Sequence, residues 1–273
     1  VEAFAPWVRR IHFITWGHLP PWLNTEHPRL HIVRHEDYIP AEYLPTFSSH
    51  PIELNMHRIA GLAEHFVYFN DDVFLTAPVT PDDFFKNGLP CDTCRFGVAH
   101  PHSTDDPFAH ILLNNTGVVN RHVSYARAKQ LHARKWFSLR NGLKSVTRTR
   151  TLSHWPFFVG FSAPHLAVPF EKRTFEDLWR VEAAGLDATC RRRFRTMADV
   201  SQLAARSLQL ALGRFEPRRP LGSPFFVGAE QGAGPAARAI AQQRFAMICV
   251  NDEDTVFDFE TEWCRLIAAF ETI

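Results

Sequence analysis

Short apolar runs, separated by proline, glycine and asparagine, recur in the first quarter of the chain. Residues 11–15, 30–34 and 66–69 are apolar runs of the length of a β-strand. Between the last two, residues 51–62 place their apolar side chains at helical spacing, with a proline tolerated in the first turn. The order strand, helix, strand predicts parallel pairing in an α/β sheet.

The rest of the chain is richer in segments with helical periodicity. A late apolar run at residues 245–250 predicts one more strand. Residues 147–156 are polar and predict a loop, and residues 217–235 are rich in proline and glycine, which predicts a linker or mobile loop. The predicted helices are residues 81–85, 124–137, 170–186, 196–213 and 257–270. We therefore expect an α/β protein with a mainly parallel sheet, flanking helices and a helical C-terminal half, forming a single catalytic domain over residues 1–273.

Composition narrows the class of protein. The chain has 273 residues, 45% of them hydrophobic, which is enough to bury a core. Its 30 Lys and Arg nearly balance 29 Asp and Glu, so the net charge of +1 gives no reason to expect a nucleic-acid partner. The five cysteines are scattered, which favours a reducing compartment over a disulfide framework. No apolar run reaches the roughly 20 residues of a membrane span.

Two adjacent carboxylates follow the predicted strand at residues 66–69. The sequence there is Asn70-Asp71-Asp72. Ligands of open α/β sheets bind beyond the carboxyl ends of strands, and carboxylates at that place can hold Mg²⁺ or Mn²⁺ against a diphosphate. One of the two carboxylates could instead accept a proton from an attacking hydroxyl, and a solvated turn is the alternative to both.

A second Asn-Asp pair, Asn251-Asp252, follows the late strand. If the two strands belong to one sheet, their ends converge, and Asp72, Asn251 and Asp252 become candidate ligands of one cation. The alternative is that the two pairs belong to unrelated turns.

Basic and polar residues supply further candidates. His165 precedes a predicted helix, where it can touch a phosphate or a substrate hydroxyl. Arg195 ends a basic run, and arginine forks match phosphate oxygens. Glu53 and His57 are four residues apart and share a helix face, whereas the neighbouring Arg58 points elsewhere. A structural histidine, a solvated basic turn and an exposed helix with a local ion pair are the respective alternatives.

Several common catalytic motifs are absent from the sequence. It has no GxxxxGK[ST] loop, no GxGxxG after the first strand and no GxSxG elbow. P-loop kinases, common dehydrogenases and α/β-hydrolases are therefore disfavoured.

One stretch of about thirty positions is highly specific. Residues 44–53, 57–62 and 69–74 together resemble the second conserved block of the Stealth family. That family includes bacterial capsule polymerases that transfer hexose 1-phosphate, and the animal enzyme that adds N-acetylglucosamine 1-phosphate to lysosomal glycoproteins. The third block is similar around His165 and Arg195, and the fourth resembles residues 249–252. The first block of the family is not found, so we expect that the chain lacks an N-terminal segment.

The resemblance implies a nucleotide-sugar-transferase-like fold and a specific reaction. An acceptor hydroxyl would attack the β-phosphorus of a UDP-sugar, form a phosphodiester and release UMP, with Mg²⁺ or Mn²⁺ as cofactor. The partners are then a UDP-sugar donor and a saccharide or glycan acceptor, in exopolysaccharide or capsule synthesis. The expected location is the cytoplasm, at the inner face of the cell membrane if the full-length protein associates with it peripherally.

The resemblance also assigns roles to residues. The predicted catalytic residues are Asp71, Asp72, His165 and Arg195, and the predicted substrate-binding residues are Ser49, Glu53, His57, Arg58 and Asn70. One of the two aspartates, together with His165, would handle the acceptor proton, and which aspartate is base and which is metal ligand stays open. Two other functions remain as alternatives: a metal-dependent glycosyltransferase that releases UDP, and a truncated module that binds saccharide without catalysis.

Overall fold

The computed structural model describes residues 1–101, 103–252 and 258–273. The strands are β1 (Ile11–Thr15), β2 (Leu30–Arg34), β3 (His65–Tyr68), β4 (Val73–Leu75), β5 (Phe85–Lys86), β6 (Leu89–Asp92), β7 (Val168–Glu171), β8 (Glu216–Pro217), β9 (Gly222–Val227) and β10 (Met247–Asp252). The helices are α1 (Ser49–Leu54), α2 (Pro81–Phe84), α3 (Pro107–His122), α4 (Tyr125–Trp136), α5 (Leu143–Leu152), α6 (Lys172–Cys190), α7 (Leu203–Ala211), α8 (Gly234–Ala241) and α9 (Phe259–Phe270).

The strands form small sheets of mixed direction. Parallel pairs are β1–β2, β6–β8 and β9–β10, whereas β3–β7, β4–β10 and β5–β6 are antiparallel. The α/β class is thus confirmed, and so is the helical character of the later chain, since α3 to α9 all follow residue 106. The expected mainly parallel sheet is not confirmed, because the pairs in the described structure divide equally between the two directions.

Connection length explains part of the mixed direction. Parallel neighbours need a crossover of a dozen or more residues. The unit β9–α8–β10 has one, but only Asn87 and Gly88 join β5 to β6, both with positive φ, and this short turn forces an antiparallel hairpin. The predicted parallel pairing of β2 and β3 across α1 is wrong. Strand β2 pairs with β1, and β3 pairs with β7, a partner that local periodicity does not specify.

Three segments differ from the sequence-based prediction for local reasons. Residues 147–156 are mostly helix α5, because Thr147 and Thr151 donate their hydroxyls to carbonyls one turn earlier and so satisfy themselves within the helix. Residues 217–235 contain strand β9. The predicted helix at residues 51–62 ends at Leu54, where the buried Asn55 amide donates to the Pro51 carbonyl at 2.8 Å. Helix α9 is described from Phe259, and Phe257 lies outside the described residues.

Strand β10 lies between two apolar clusters and faces both. Ile248 and Val250 face the cluster formed with α8 and α9, while Met247 and Cys249 face the cluster on the other side of the strand. Strand β9 can approach β10 only because Gly222 has no side chain: a Cβ there would lie 1.8 Å from the Met247 carbonyl oxygen.

The main core is aromatic and packs the middle helices together. Trp136 of α4 is fully buried, lies 5.6 Å from Phe96 and 5.7 Å from Phe158 between ring centroids, and donates its indole N–H to the Leu210 carbonyl at 2.9 Å. This bond ties α4 to α7. All five cysteines are free thiols, and none of the helices in the described ranges combines the length and hydrophobicity that a bilayer crossing requires.

A buried ion pair connects α7 to β6. Arg206 donates Nε to Asp92 Oδ2 at 2.7 Å and Nη2 to Asp92 Oδ1 at 2.9 Å, and its Nη1 donates to the Ser162 carbonyl at 2.8 Å. The two side chains are only 4% and 11% exposed. Removing one partner of such a pair leaves a buried charge without compensation.

We expect Arg206→Ala to lower the free energy of unfolding by about 3–5 kcal/mol, because Asp92 would stay buried without its bidentate partner. Urea unfolding followed by circular dichroism measures this loss. The matched control is Arg180→Ala, which removes an exposed i,i+3 pair with Asp177 and should cost less than about 1 kcal/mol. Equal losses of unfolding free energy in the two variants would show that the buried pair contributes no more to stability than the exposed pair.

Candidate active site

A tight turn between β3 and β4 carries the Asn70-Asp71-Asp72 sequence. The Val73 N–H donates to the Asn70 carbonyl at 3.3 Å and closes the turn. The Val250 N–H of β10 donates to the Asp72 carbonyl at 2.9 Å, so β10 also pairs with the end of the turn. The backbone of Asp72 is therefore fixed from two sides.

The Asp72 carboxylate is held by side chains of β10. Asn251 Nδ2 donates to Asp72 Oδ2 at 2.9 Å, and the Cys249 thiol approaches the same oxygen at 3.2 Å. Both come from one face of β10 because they are two residues apart. Burial, and then the hydrogen bond to Asp72, raise the pKa of the Cys249 thiol to about 12, which keeps it protonated at neutral pH.

His165 completes this group from the segment that precedes β7. Its Nε2 lies 3.6 Å from Asp72 Oδ2 and is in short contact with Asn70 Nδ2. The His165 side chain is 41% exposed, whereas that of Asp72 is 18% exposed. The imidazole is thus the solvent-facing member of the group, and the carboxylate lies behind it. We call Asn70, Asp72, His165, Cys249 and Asn251 the acidic cluster.

One oxygen of Asp72 has no donor. Oδ1 is buried and has no hydrogen-bond partner among the described residues, a situation that costs about 1–3 kcal/mol unless something else satisfies it. A divalent cation is the kind of group that does so, because hard cations prefer carboxylate and amide oxygens. The residues present therefore fit a Mg²⁺ or Mn²⁺ ion at Asp72 Oδ1, with the Asn251 amide beside the same carboxylate.

The other predicted acidic residues lie apart from that oxygen. Asp71 is exposed at the tip of the turn. Asp252 is exposed, and strand alternation places it on the face of β10 opposite to Asn251, with Val250 and Ile248. The structure therefore brings Asp72 and Asn251 together but not Asp252.

A second group of polar side chains surrounds Glu53 of α1. Glu53 is 6% exposed, and the Tyr68 hydroxyl of β3 donates to its Oε1 at 2.9 Å. Arg195 Nη2 donates to Ser49 Oγ at 2.8 Å, one helical turn before Glu53. Burial raises the pKa of Glu53 to about 7, although Tyr68 and Arg195 oppose the shift. We call Ser49, Glu53, Tyr68 and Arg195 the arginine cluster.

Arg195 is held in place by a loop that folds around Asp199. The Asp199 carboxylate is 1% exposed and accepts from Arg192 at 3.0 Å and from the Thr196 backbone N–H at 2.9 Å. It also lies 3.3 Å from His50 Nδ1, and so joins the loop to α1. The stacked rings of Phe47 and Phe194, 5.2 Å apart, close the contact. This buried carboxylate thus presents Arg195 to Ser49.

Strand β3 links the two clusters. Tyr68 belongs to the arginine cluster, and Asn70, two residues later, belongs to the acidic cluster. Burial first, and then the charge of Glu53, raise the pKa of Tyr68. Seven of the eleven predicted residues therefore belong to two clusters that strand β3 connects: Ser49, Glu53, Asn70, Asp72, His165, Arg195 and Asn251.

His57 and Arg58 lie outside both clusters. The His57 ring stacks on Phe175 at 6.2 Å, and burial followed by the Arg58 charge lowers the pKa of His57 to about 4. Arg58 is exposed, with its guanidinium 5.3 Å from the Trp179 ring centroid. Both residues pack on α6, so their predicted contact with substrate has no support in the geometry.

A cavity of about 760 Å³ lies between α3, α6 and the segment after α5. Trp155, Phe157 and Leu113 line it, and none of the residues predicted from the sequence does so. Its polar lining is satisfied within the protein: the Asn120 amide bonds the Phe158 backbone in both directions. The cavity adjoins the back of the loop around Asp199 and is separate from both clusters.

Sequence reasoning did not assign Tyr68 and Cys249 to the site. Each stands two residues before a predicted site residue in an extended segment, Tyr68 before Asn70 and Cys249 before Asn251. Because alternate residues of a strand share a face, this spacing is the signal that would have included them.

We expect Glu53→Gln to change the pH dependence of stability. The folded pKa of about 7 lies above the ordinary value of 4.5, so between these pH values the folded state keeps a proton that the unfolded state has lost. Wild-type stability contributed by Glu53 therefore falls as pH rises through this window. The variant escapes that loss, and its stability relative to wild type should grow by up to about 3 kcal/mol from pH 4.5 to pH 7.

Urea unfolding at a series of pH values measures this difference. The control is Glu26→Gln, at an exposed glutamate, whose stability relative to wild type should not vary with pH. A Glu53→Gln difference that is equally flat would show that the carboxyl is solvated and not buried beside Tyr68.

Comparison with known proteins gives the family. Residues 1–91 match the sequence model of Stealth protein CR2, conserved region 2. The capsular polysaccharide phosphotransferase WcwK of Streptococcus pneumoniae is 36% identical over 262 residues, which cover 96% of this chain and 78% of that protein. The receptor polysaccharide phosphotransferase WefC of Streptococcus gordonii is 34% identical over 278 residues, which cover 100% of this chain and 81% of that protein.

A third relative extends the match to another genus. The exopolysaccharide phosphotransferase cps2G of Lactiplantibacillus plantarum is 34% identical over 277 residues, covering 100% of this chain and 80% of that protein. The matches therefore include both clusters, from Ser49 to Asn251. With relatives of this identity aligned along nearly its whole length, the chain belongs to the Stealth family of phosphotransferases.

Proposed function

We propose that this protein transfers a hexose 1-phosphate, such as an N-acetylhexosamine 1-phosphate, from a UDP-sugar to a saccharide hydroxyl in exopolysaccharide or capsule synthesis. The names of the relatives support the class of acceptor. The observation that carries the proposal is the convergence of Asp72, His165 and Asn251 at the end of β3. A proton acceptor and an unsatisfied carboxylate oxygen then lie side by side, as phosphoryl transfer to a hydroxyl requires.

The transfer step divides between the two clusters. The acceptor hydroxyl oxygen forms a bond to the β-phosphorus, the bond from that phosphorus to the bridging oxygen breaks, and UMP leaves with the bridging oxygen. His165 Nε2 takes the hydroxyl proton, and Asp72 at 3.6 Å stabilises the resulting imidazolium. Arg195, held by Ser49, contacts the diphosphate and balances its charge.

A Mg²⁺ or Mn²⁺ ion bound by Asp72 Oδ1 and the side-chain oxygen of Asn251 would neutralise charge on the diphosphate. Asp71, exposed at the turn, is the second carboxylate available to the donor or to the acceptor proton. In this proposal Glu53 does not touch phosphorus. It accepts a hydrogen bond from Tyr68 and lies one turn after Ser49 in α1, so it helps to fix the position of the Ser49 hydroxyl to which Arg195 donates.

We extend the proposal to the arrangement of the fold and to the place where the protein acts. We propose a nucleotide-sugar-transferase-like arrangement in which the carboxyl end of β3 receives the UDP-sugar. We also propose action at the inner face of the cell membrane, where a growing bacterial polysaccharide is available as acceptor. Both follow from the supposed reaction and from the relatives that act on capsular and exopolysaccharides.

We expect Asp72→Asn and His165→Ala each to lower kcat by at least about 100-fold, the usual contribution of a positioned acid–base group. The matched controls are Asp105→Asn and His154→Ala, which change the same residue types at exposed positions outside both clusters. Turnover of a UDP-sugar with a saccharide acceptor is the measurement. Full activity in either cluster variant would remove that residue from the mechanism.

The variant Asp252→Asn tests whether Asp252 is a ligand of the cation, as the two Asn-Asp pairs of the sequence predict. Because Asp252 lies on the opposite face of β10, its variant should stay within about threefold of wild type, less than 1 kcal/mol in the barrier. A loss as large as that of Asp72→Asn would restore Asp252 as a ligand of the cation.

We expect the nucleotide product to be UMP. With a UDP-sugar labelled at the β-phosphorus, the label should appear in the saccharide product as a phosphodiester, because the bond that breaks is the one from the β-phosphorus to the bridging oxygen. Anion-exchange chromatography of the nucleotide and ³¹P NMR of the product measure both outcomes. Release of UDP, with unlabelled saccharide, would instead identify a metal-dependent glycosyltransferase.

A further inference from the structure

Three different donor atoms converge on one point of the acidic cluster. Asp72 Oδ2, His165 Nε2 and Cys249 Sγ all lie within 4.8 Å of one another. The Sγ atom lies 3.2 Å from Oδ2, and Nε2 lies 3.6 Å from Oδ2. The sulfur comes from a buried strand and the imidazole from an exposed loop, so two unrelated elements supply the set.

These separations are those of a tetrahedral zinc site. Zinc bonds of 2.0–2.3 Å to oxygen, nitrogen and sulfur at the tetrahedral angle place the ligand atoms roughly 3.3–3.7 Å apart. The two separations from Asp72 Oδ2 lie within a few tenths of an ångström of this range, and His165 Nε2 and Cys249 Sγ lie within 4.8 Å of each other. Three protein ligands with a fourth, open position is also the usual composition of a zinc site that water can reach, and His165 supplies the exposed side of this one.

The chemistry of the donors excludes magnesium from this position. Thiolate and imidazole are soft or borderline ligands that select Zn²⁺ and its relatives, whereas Mg²⁺ requires six oxygen ligands in octahedral geometry. The oxygen that we assign to Mg²⁺ is Asp72 Oδ1, which has no partner in the described structure. One carboxylate thus faces two kinds of cation site through its two oxygens.

We propose that Asp72, His165 and Cys249 form a binding site for a thiophilic divalent cation of the Zn²⁺ class, and that its occupation inhibits the enzyme. The Cys249 sulfur gives its proton to solvent and bonds the metal, with no change in oxidation state. Asn70 must turn away from His165 Nε2 to let the metal bind. Inhibition rests on the proposed function: once bonded to the metal, His165 Nε2 can no longer take the proton of the acceptor hydroxyl.

Cobalt(II) tests the site without any substrate. Co²⁺ occupies zinc sites, and a Co²⁺–thiolate bond produces a charge-transfer band in the near ultraviolet. Titration of the whole chain with Co²⁺ should produce this band together with intense visible bands of tetrahedral Co²⁺, and one equivalent of Zn²⁺ should abolish both. Because no donor or acceptor is present, the result does not depend on whether the protein transfers a sugar phosphate.

Variants of single ligands assign the site. Cys249→Ser should lose the thiolate band, while Cys264→Ser, which changes an exposed cysteine of α9, should keep it. If Cys249→Ser fails to fold, His165→Ala at a solvent-facing position is the second test, and it should weaken Co²⁺ binding by at least about tenfold. A thiolate band that survives in Cys249→Ser, Co²⁺ binding without such a band, or unchanged binding in His165→Ala would overturn the proposal.

Discussion

The acidic cluster depends on the contacts by which β10 holds Asp72. Val250 bonds its carbonyl, and Asn251 and Cys249 engage one carboxylate oxygen. A turn with two adjacent aspartates would otherwise be solvated, and its carboxylates would have no fixed direction. Pairing with β10 leaves one oxygen satisfied and the other, Oδ1, buried without a hydrogen-bond partner among the described residues, which is the oxygen that we propose binds a cation. The position of β10 depends in turn on the close approach of β9, which only a glycine at position 222 permits.

The loop that supplies Arg195 to the arginine cluster is built on the same principle, around a buried carboxylate. Asp199 is almost fully buried and gathers Arg192, Thr196 and His50 around it, which fixes the loop that carries Arg195. A buried charge is stable only when it is paired and hydrogen-bonded, and this loop meets both conditions. In both places a carboxylate that is largely shielded from solvent positions a more exposed side chain: Asp72 positions His165, and Asp199 positions the loop that carries Arg195. Strand β3 brings the two side by side.

The sequence alone was enough to predict most residues of the site, but not which of the predicted residues the fold brings together. Asn70, Asp72 and Asn251 were predictable because each follows an apolar run, and Ser49, Glu53, His165 and Arg195 because they match conserved blocks of a known family. The exclusion of Asp252 required knowledge of which face of β10 packs on α8 and α9. The predicted shared helix face of Glu53 and His57 is wrong because α1 ends at Leu54, where Asn55 turns the chain, so helical spacing no longer applies. The mixed sheet followed from strand partners far apart in sequence, as with β3 and β7, which local periodicity does not encode.

A double-mutant cycle on kcat, between Asp72 and His165, tests most directly whether they act as one unit. If the carboxylate works by supporting the imidazole that takes the acceptor proton, removal of both should cost no more than removal of the more damaging one, because neither is useful alone. Asp72→Asn, His165→Ala and the combined variant, compared under saturating donor and acceptor, give the coupling. The account predicts a strongly non-additive cycle, in which the kcat of the combined variant is close to that of the less active single variant. Independent effects that multiply would contradict it and would separate the two side chains into unrelated roles.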